Sequence, residues 1–149
     1  MRPGAHIISG LVMGSIVLAV TKEADAAVLC AAANVISDTD HILEYGVYCL
    51  KHKVKPRIQE FMSGEYFGTK GTIGVIFHGH EYFAALILAS IWLWQSGSRG
   101  ALDCIVFTLG YGIHMLLDLI GNDCGWKGYS VLYRIAVKFE EKKVCSKKR

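Results

Sequence analysis

Apolar residues fall in four long runs along this chain, separated by short polar or glycine-rich breaks. The runs cover about residues 5–20, 24–37, 72–95 and 101–121. The alanine-rich second run and the absence of proline from all four runs favour α-helices. The last two runs reach the ~20 apolar residues that a membrane-spanning helix needs, whereas the first two are shorter. The pattern therefore predicts an all-α protein built on a four-helix transmembrane bundle.

Mixed polar and apolar positions occupy the rest of the chain. Within residues 42–70, Ile58, Phe61 and Met62 have the i, i+3, i+4 spacing of one helix face. This spacing predicts an interfacial basic helical segment. Residues 130–143 are amphipathic and basic, and they predict a C-terminal amphipathic helix. We expect residues 1–149 to form a single integral membrane domain.

Composition narrows the class of protein. Only 19% of the residues are charged and 52% are hydrophobic, whereas soluble domains carry ~25% charged residues. Basic residues concentrate in 51–57 and 142–149, and in so apolar a chain such clusters mark the cytoplasmic side rather than a nucleic-acid surface. We therefore expect a multi-pass protein of the cytoplasmic membrane with both termini in the cytoplasm. An odd number of cysteines, five without a CxxC pair, argues against a disulfide framework.

The candidate chemistry lies in histidines and carboxylates at the ends of the apolar runs. Ionisable groups in apolar segments are costly, so they usually face one another, water or a metal. In four antiparallel helices these groups would all lie at one end of the bundle, toward the cytoplasm. They are His6, Asp38, Asp40, His41, His78, Glu81, His114 and Asp118.

Helical spacing suggests a role for each group. His114 and Asp118 are i, i+4 neighbours on one helix face, and nitrogen with oxygen ligands suits zinc, with manganese or iron as alternatives. His78 and Glu81 are i, i+3, which favours His78 over His80 as a ligand and Glu81 as general base. Asp40 is the other candidate catalytic residue, and with His41 it would complete a second metal site or orient other ligands. The predicted ligands, enough for one or two ions, are His6, Asp38, His41, His78, His114 and Asp118.

Four segments of the chain resemble the motifs of the YdjM-like family of inner-membrane, metal-dependent hydrolases. They are HIISGLVMG, ISDTDH, FHGHEYF and GYGIHMLLDL. Their order of histidines and aspartates is also distantly similar to that of zinc-dependent phospholipase C. The chain departs from the family pattern at Ser37, where proline is usual, and in the stretch 78–81. The resemblance implies metal-dependent hydrolysis, with a phosphoester as the expected substrate class.

A membrane setting favours a lipid or lipid-linked substrate, and Lys51, Lys53 and Arg57 would attract its anionic headgroup. One alternative is a non-catalytic membrane protein that binds or transports metal, or serves as a scaffold. Transport is disfavoured because the polar groups cluster at one end instead of following a path through the bundle. Another alternative is a soluble helical phosphohydrolase. In place of a metal site, His114 and Asp118 could also be a structural polar pair between helices.

Overall fold

Helices and connecting turns make up the described part of the chain, residues 3–122 and 124–145 of a computed structural model. No β-strand occurs in these ranges, and Thr72 and Glu140 form only an isolated bridge. The prediction of an all-α protein is therefore confirmed. The helices are α1 Pro3–Thr21, α2 Ala24–Ile36, α3 Thr39–His52, α4 Ile58–Ser63, α5 Glu65–Lys70, α6 His80–Gln95, α7 Ala101–Gly121, α8 Val131–Ala136 and α9 Glu141–Val144, with a 3₁₀ turn at Trp126–Tyr129. Residues 146–149 of the predicted basic tail lie outside the described residues.

Helix α7 is the centre of the bundle and contacts α1, α2 and α6, while α1 also packs along α2. The helix backbones approach closely at glycines. A Cβ atom at Gly110 would lie 2.2 Å from the carbonyl oxygen of Cys30, and one at Gly14 would lie 2.9 Å from that of Ala27. Small residues of this kind let two helix backbones pack closely. These contacts hold the middle parts of α1, α2 and α7 together.

Two helices are long and apolar enough to cross a membrane, through the segments Gly4–Thr21 and Ala101–Gly121. Helix α2 has 13 residues and α6 has 16, which correspond to about 20 and 24 Å of helix. A bilayer's hydrocarbon core is about 30 Å thick. Four complete crossings therefore do not follow from helix length alone.

The prediction that residues 72–95 form one helix is wrong at its start, because α6 begins at His80. Side chains of α3 bind the backbone of the preceding irregular segment, residues 72–79. Glu44 accepts a hydrogen bond from the Gly74 N–H at 2.6 Å, and Asp40 accepts one from the Phe77 N–H at 2.7 Å. These bonds give the backbone an alternative to helical pairing and fix the position of His78.

Helix α3 has an inverted distribution of polar residues. Its polar residues Asp40, His41 and Glu44 are buried, whereas Leu43 and Leu50 are 66% and 81% exposed. We did not predict this helix from the sequence. An apolar outer face suits a helix that contacts lipid at the end of the bundle where His41 lies.

The two predicted amphipathic segments are shorter than expected. Helix α4 contains the predicted stripe of Ile58, Phe61 and Met62. The predicted C-terminal helix is divided into α8 and α9, because Lys138 and Phe139 between them adopt left-handed backbone angles, with φ of 54° and 58°. Such angles are unfavourable within a right-handed helix.

Candidate metal centre

Four side-chain donors meet at one buried point where the ends of α2 and α7 face the irregular segment. The Nε2 atom of His78 lies 2.9 Å from His114 Nε2, 3.4 Å from Asp38 Oδ1 and 3.3 Å from Asp118 Oδ2. The Nε2 atom of His114 lies 3.6 Å from Asp118 Oδ2 and 4.0 Å from Asp38 Oδ1. Ligands about 2.1 Å from a tetrahedral zinc ion are about 3.4 Å apart. The five distances above, 2.9–4.0 Å, are close to that value, and Asp38, His78 and His114 form a group of donors that could hold a metal ion.

Both central histidines are oriented by a partner on their other ring nitrogen. The Nδ1 atom of His114 lies 2.8 Å from the carbonyl oxygen of Asn34, and Nδ1 of His78 lies 3.3 Å from Asp40 Oδ2. A proton on each Nδ1 leaves the Nε2 lone pair directed at the cluster, which is the usual arrangement around metal-binding histidines. Asp40, predicted as a catalytic group, thus acts as the orienting carboxylate of His78.

His6 and His41 lie beside the four donors, His6 next to the carboxylate of Asp118 and His41 next to that of Asp38. His6 Nε2 lies 3.2 Å from Asp118 Oδ1, and His41 Nε2 lies 3.9 Å from Asp38 Oδ1. Two further groups of donors, each within 4.8 Å of one another, could hold a metal ion; they are His6, His114 and Asp118, and Asp40, His41 and His78. The structure therefore brings all six predicted ligands together.

The charge balance of the cluster calls for a cation. The buried atoms Asp38 Oδ1, Asp40 Oδ1 and His6 Nδ1 have no hydrogen-bond partner among residues 3–122 and 124–145. Burial disfavours a charged imidazole, but the nearby carboxylates of Asp38 and Asp40 outweigh it and raise the pKa of His78 to about 9. Three buried carboxylates, Asp38, Asp40 and Asp118, share this one imidazolium, and buried charges without a partner are costly. A divalent ion would supply that charge, and nitrogen and oxygen donors suit zinc, manganese or iron.

Glu81, in the first turn of α6, contacts the start of α8 and does not join the cluster. Its carboxylate accepts hydrogen bonds from the Ser130 hydroxyl at 2.5 Å and from the N–H groups of Val131 and Leu132 at 3.0 and 3.2 Å. The predicted face shared with His78 does not exist, because α6 begins only at His80. The structure therefore argues against Glu81 as general base and gives it a role in anchoring α8.

His80 is placed as the sequence analysis expected, away from the ligands. Its ring stacks on the Trp126 indole with centroids 3.8 Å apart, and its Nε2 lies 3.1 Å from the Trp126 carbonyl oxygen. His78 is the histidine of this pair that reaches the cluster. The structure thus places the histidine that we predicted at the cluster, although the helical argument for it was wrong because α6 begins at His80.

The anchoring role of Glu81 predicts a loss of stability without a loss of metal. Glu81→Ala leaves three donors without their acceptor and should lower the free energy of unfolding by about 1–3 kcal/mol. Denaturant unfolding and metal analysis of the folded fraction measure the two effects. Glu65→Ala, at an exposed acidic residue in the first turn of α5, is the matched control. A Glu81 variant of normal stability that has lost metal would contradict this assignment.

The structure does not bring Lys51, Lys53 and Arg57 to the metal centre. All three are exposed, and none lines the cavity beside the cluster. The physical reason is distance along α3: Lys51 follows Asp38 by 13 residues, which is about 20 Å of helix. Their predicted role in substrate binding has no support from the position of these residues.

A cavity of about 290 Å³ opens beside the metal centre. Its lining includes His41, His78 and Asp118 from the cluster, and Asn122, Tyr129 and Arg134 from the C-terminal part of the chain. Asn122 donates hydrogen bonds to Asp118 Oδ1 at 3.0 Å and to the Tyr129 hydroxyl at 2.8 Å. The position of Asn122, one turn after Asp118, signals this contact in the sequence. Nothing in the amphipathic pattern of 130–143 singles out Arg134.

Cys124 and Cys145, which also line this cavity, form a disulfide with their Cα atoms 4.2 Å apart. Cys30, Cys49 and Cys104 are free. An odd number of cysteines excludes a disulfide for every cysteine but allows one between two of them. The sequence did not predict this disulfide, because two cysteines 21 residues apart form no recognisable motif. The bond ties the end of α9 to the segment after α7.

Comparisons with protein-family models, with curated proteins and with solved structures found no match. The resemblance to the YdjM-like hydrolases therefore rests on the four sequence motifs alone.

Proposed function

We propose that this protein is a membrane-bound, metal-dependent hydrolase that acts on a phosphoester. The observation that carries the proposal is the buried group of Asp38, His78 and His114, which could hold one metal ion and has Asp118 within 3.6 Å of both histidines. The centre also borders a cavity of about 290 Å³, whereas a purely structural metal site is closed by protein ligands. The motif resemblance points to the same chemistry.

Each residue of the centre has a distinct task in this proposal. A divalent ion held by His78, His114, Asp38 and Asp118 would supply Lewis acidity for phosphoester hydrolysis. Asn34 and Asp40 fix the ring orientation of His114 and His78. Asn122 donates to Asp118 Oδ1 and so directs the Oδ2 atom of that carboxylate to the cluster.

Hydrolysis by the detergent-purified protein tests this function. We expect the metal-loaded protein to cleave bis(4-nitrophenyl) phosphate, to lose that activity after chelation, and to recover it on addition of zinc or manganese. The carboxyl ester 4-nitrophenyl acetate serves as the comparison substrate. Stoichiometric metal without cleavage of any phosphoester in a broad screen would favour a non-catalytic metal-binding protein.

We further propose that α1, α2, α6 and α7 cross the membrane together. Apolar side chains on the outside of the bundle support this arrangement, including Leu11 on α1, Leu88 and Trp92 on α6, and Ile120 on α7, each at least 64% exposed. Surfaces of this kind suit lipid rather than water. The shorter α2 and α6 would be accommodated by tilt or by local thinning of the bilayer.

For orientation, we propose that the metal centre faces the cytoplasm. The same end carries the basic stretch Lys51–Arg57, whereas the far loops carry Lys22 and Arg99. The Cys124–Cys145 disulfide favours the opposite orientation, because disulfides persist in oxidising compartments. We give the charge asymmetry more weight than the disulfide because it involves more residues. We therefore expect Cys124 and Cys145 to be reduced in the cell.

Reporter fusions at Ser98 and Arg149 test the orientation. The fusion at Ser98 should report the far side of the membrane, and the fusion at Arg149 should report the cytoplasm. Reports from the same side would contradict a crossing by α7, and reversed reports would place the metal centre outside the cytoplasm.

An apolar groove supports a lipid as the substrate. It has a volume of about 540 Å³ between α2, α6 and α7, and its lining includes Ser37, Phe77 and Tyr111. Ser37 and Phe77 directly precede Asp38 and His78 in the chain, so the groove begins beside the metal ligands. An acyl chain in this groove would bring the head of the lipid to the metal centre.

Filling the groove tests the lipid proposal. Ala89 lines the groove, and Ala89→Trp should lower hydrolysis of a long-chain phospholipid about tenfold while leaving bis(4-nitrophenyl) phosphate cleavage unchanged. Leu88→Trp, one residue along α6 at an exposed position outside this groove, is the control. Equal losses with both substrates, or none with the lipid, would contradict an acyl-chain groove.

A further inference from the structure

Arg134 is a buried cation on the wall of the cavity that also holds His78 and Asp118. Its side chain is only 2% exposed. No carboxylate of residues 3–122 or 124–145 lies within 4.0 Å of its guanidinium as an ion-pair partner; its bonds are to backbone carbonyls. A buried arginine is rare unless it is paired with an anion. The structure therefore leaves a buried positive charge facing the cavity.

Two hydrogen bonds fix the plane of this guanidinium. Its Nε–H donates to the carbonyl oxygen of Gly128, and Nη1 donates to that of Val75, both at 2.5 Å. The Tyr129 ring adds a cation–π contact, with the guanidinium carbon 5.7 Å from the ring centroid. A guanidinium has five N–H donors, so about three remain for a ligand. The bonds to Gly128 and Val75 prevent the side chain from turning into solvent.

The charges around the cavity favour an anionic ligand at this position. Asp38 and Asp118 would neutralise a bound divalent ion, and Asp40 pairs with His78. Glu141 also lines the cavity, but it forms no ion pair with Arg134, so among the described residues the guanidinium has no direct anionic partner. An arginine fork matches the paired oxygens of a phosphoryl group in geometry as well as charge.

We propose that Arg134 binds the phosphoryl group of the substrate and selects anionic phosphoesters over neutral esters. This inference rests on the proposed hydrolase function and names the substrate group that the cavity admits. A volume of about 290 Å³ holds a phosphoryl group with a small headgroup, while a lipid's acyl chains would lie in the apolar groove. A free phosphate ion presents the same oxygens as the phosphoryl group of a lipid. The experiments therefore use both inorganic phosphate and a phospholipid.

The first test uses the wild-type protein and needs no metal. Phenylglyoxal modifies accessible arginines, and mass spectrometry locates the modified residue. Inorganic phosphate should slow modification of Arg134 at least threefold and leave the exposed Arg57 and Arg99 unaffected. A failure of phosphate to protect Arg134, or a complete lack of reaction at Arg134, would overturn the proposal. Because this assay does not measure hydrolysis, its outcome is independent of the proposed function.

The second test compares Arg134→Lys with Arg99→Lys in metal-loaded protein. Lysine keeps the charge but loses the fork, so we expect about a tenfold higher KM for dihexanoyl phosphatidylglycerol and weaker inhibition by inorganic phosphate. Metal content should stay normal. Unchanged KM and unchanged phosphate inhibition would overturn the assignment. A change with the phospholipid but not with inorganic phosphate would identify the lipid headgroup as the ligand source. If the Arg134 variant does not fold, the modification assay still decides.

Discussion

Replacing His114 with alanine is expected to lower the affinity for a divalent ion by about 100-fold or more. Loss of a group that merely orients a ligand reduces metal affinity 10- to 100-fold, and His114 contributes a donor atom itself. Its Nε2 lies within 4.0 Å of donors on His78, Asp38 and Asp118, so the substitution removes one donor from the middle of this group. Equilibrium dialysis followed by elemental analysis measures the affinity.

His80→Ala is the matched control for this change. It removes a histidine near the same end of the bundle that stacks on Trp126 and does not contact the four donors. Its metal affinity should remain within about twofold of wild type. Normal affinity in a folded His114 variant would reassign His114 and Asp118 to a structural polar pair. Thermal unfolding of both variants separates loss of metal from loss of the fold.

Asp38→Asn is expected to reduce phosphoester hydrolysis by at least ~100-fold. The substitution removes one negative charge from the centre but preserves the size of the side chain, and Lewis-acid stabilisation is worth several kcal/mol, at about 1.4 kcal/mol for each factor of ten. Because Asp38 Oδ1 has no hydrogen-bond partner in the described part of the chain, few structural contacts are lost. Steady-state kinetics at increasing zinc concentration measures the effect.

The dependence on zinc distinguishes a ligand from a structural residue. If Asp38 is a ligand, excess zinc should restore part of the activity, because the variant binds metal more weakly instead of misfolding. Asp25→Asn, at an exposed aspartate in the first turn of α2, should behave like wild type. An Asp38 variant with full activity at limiting zinc would remove Asp38 from the site.

Much of the metal centre could be predicted from the sequence because its residues follow simple helix geometry. His6 near the start of one helix and His114 and Asp118 near the end of another must approach if the helices are antiparallel. The i, i+4 spacing of His114 and Asp118 survives in α7, where both side chains face the cluster. Local periodicity and one topological assumption were sufficient for these positions.

Predictions that depended on an uninterrupted helix failed. Apolar content indicated a helix through residues 72–79, but tertiary hydrogen bonds from Glu44 and Asp40 hold this backbone in an irregular path. Periodicity contains no information about such partners. Glu81 was misassigned for the same reason, since its relation to His78 assumed helical phase.

Two further features of the structure could not be predicted from the pattern of apolar positions. Helix α3 has its polar side buried and its apolar side outside, opposite to the arrangement that an amphipathic pattern implies for a soluble core. Arg134 reaches the cavity because α8 and the 3₁₀ turn fold back against the bundle. Such long-range packing requires the tertiary structure.

X-ray absorption spectroscopy of the detergent-purified protein tests the central claim most directly. The account predicts at least one tightly bound divalent ion per chain, surrounded by nitrogen and oxygen at about 2.0–2.2 Å, with scattering from two or more imidazole rings. Zinc is the expected element, with manganese or iron as alternatives. Protein that holds no stoichiometric metal after purification and after reloading, or metal coordinated without imidazole, would contradict the account.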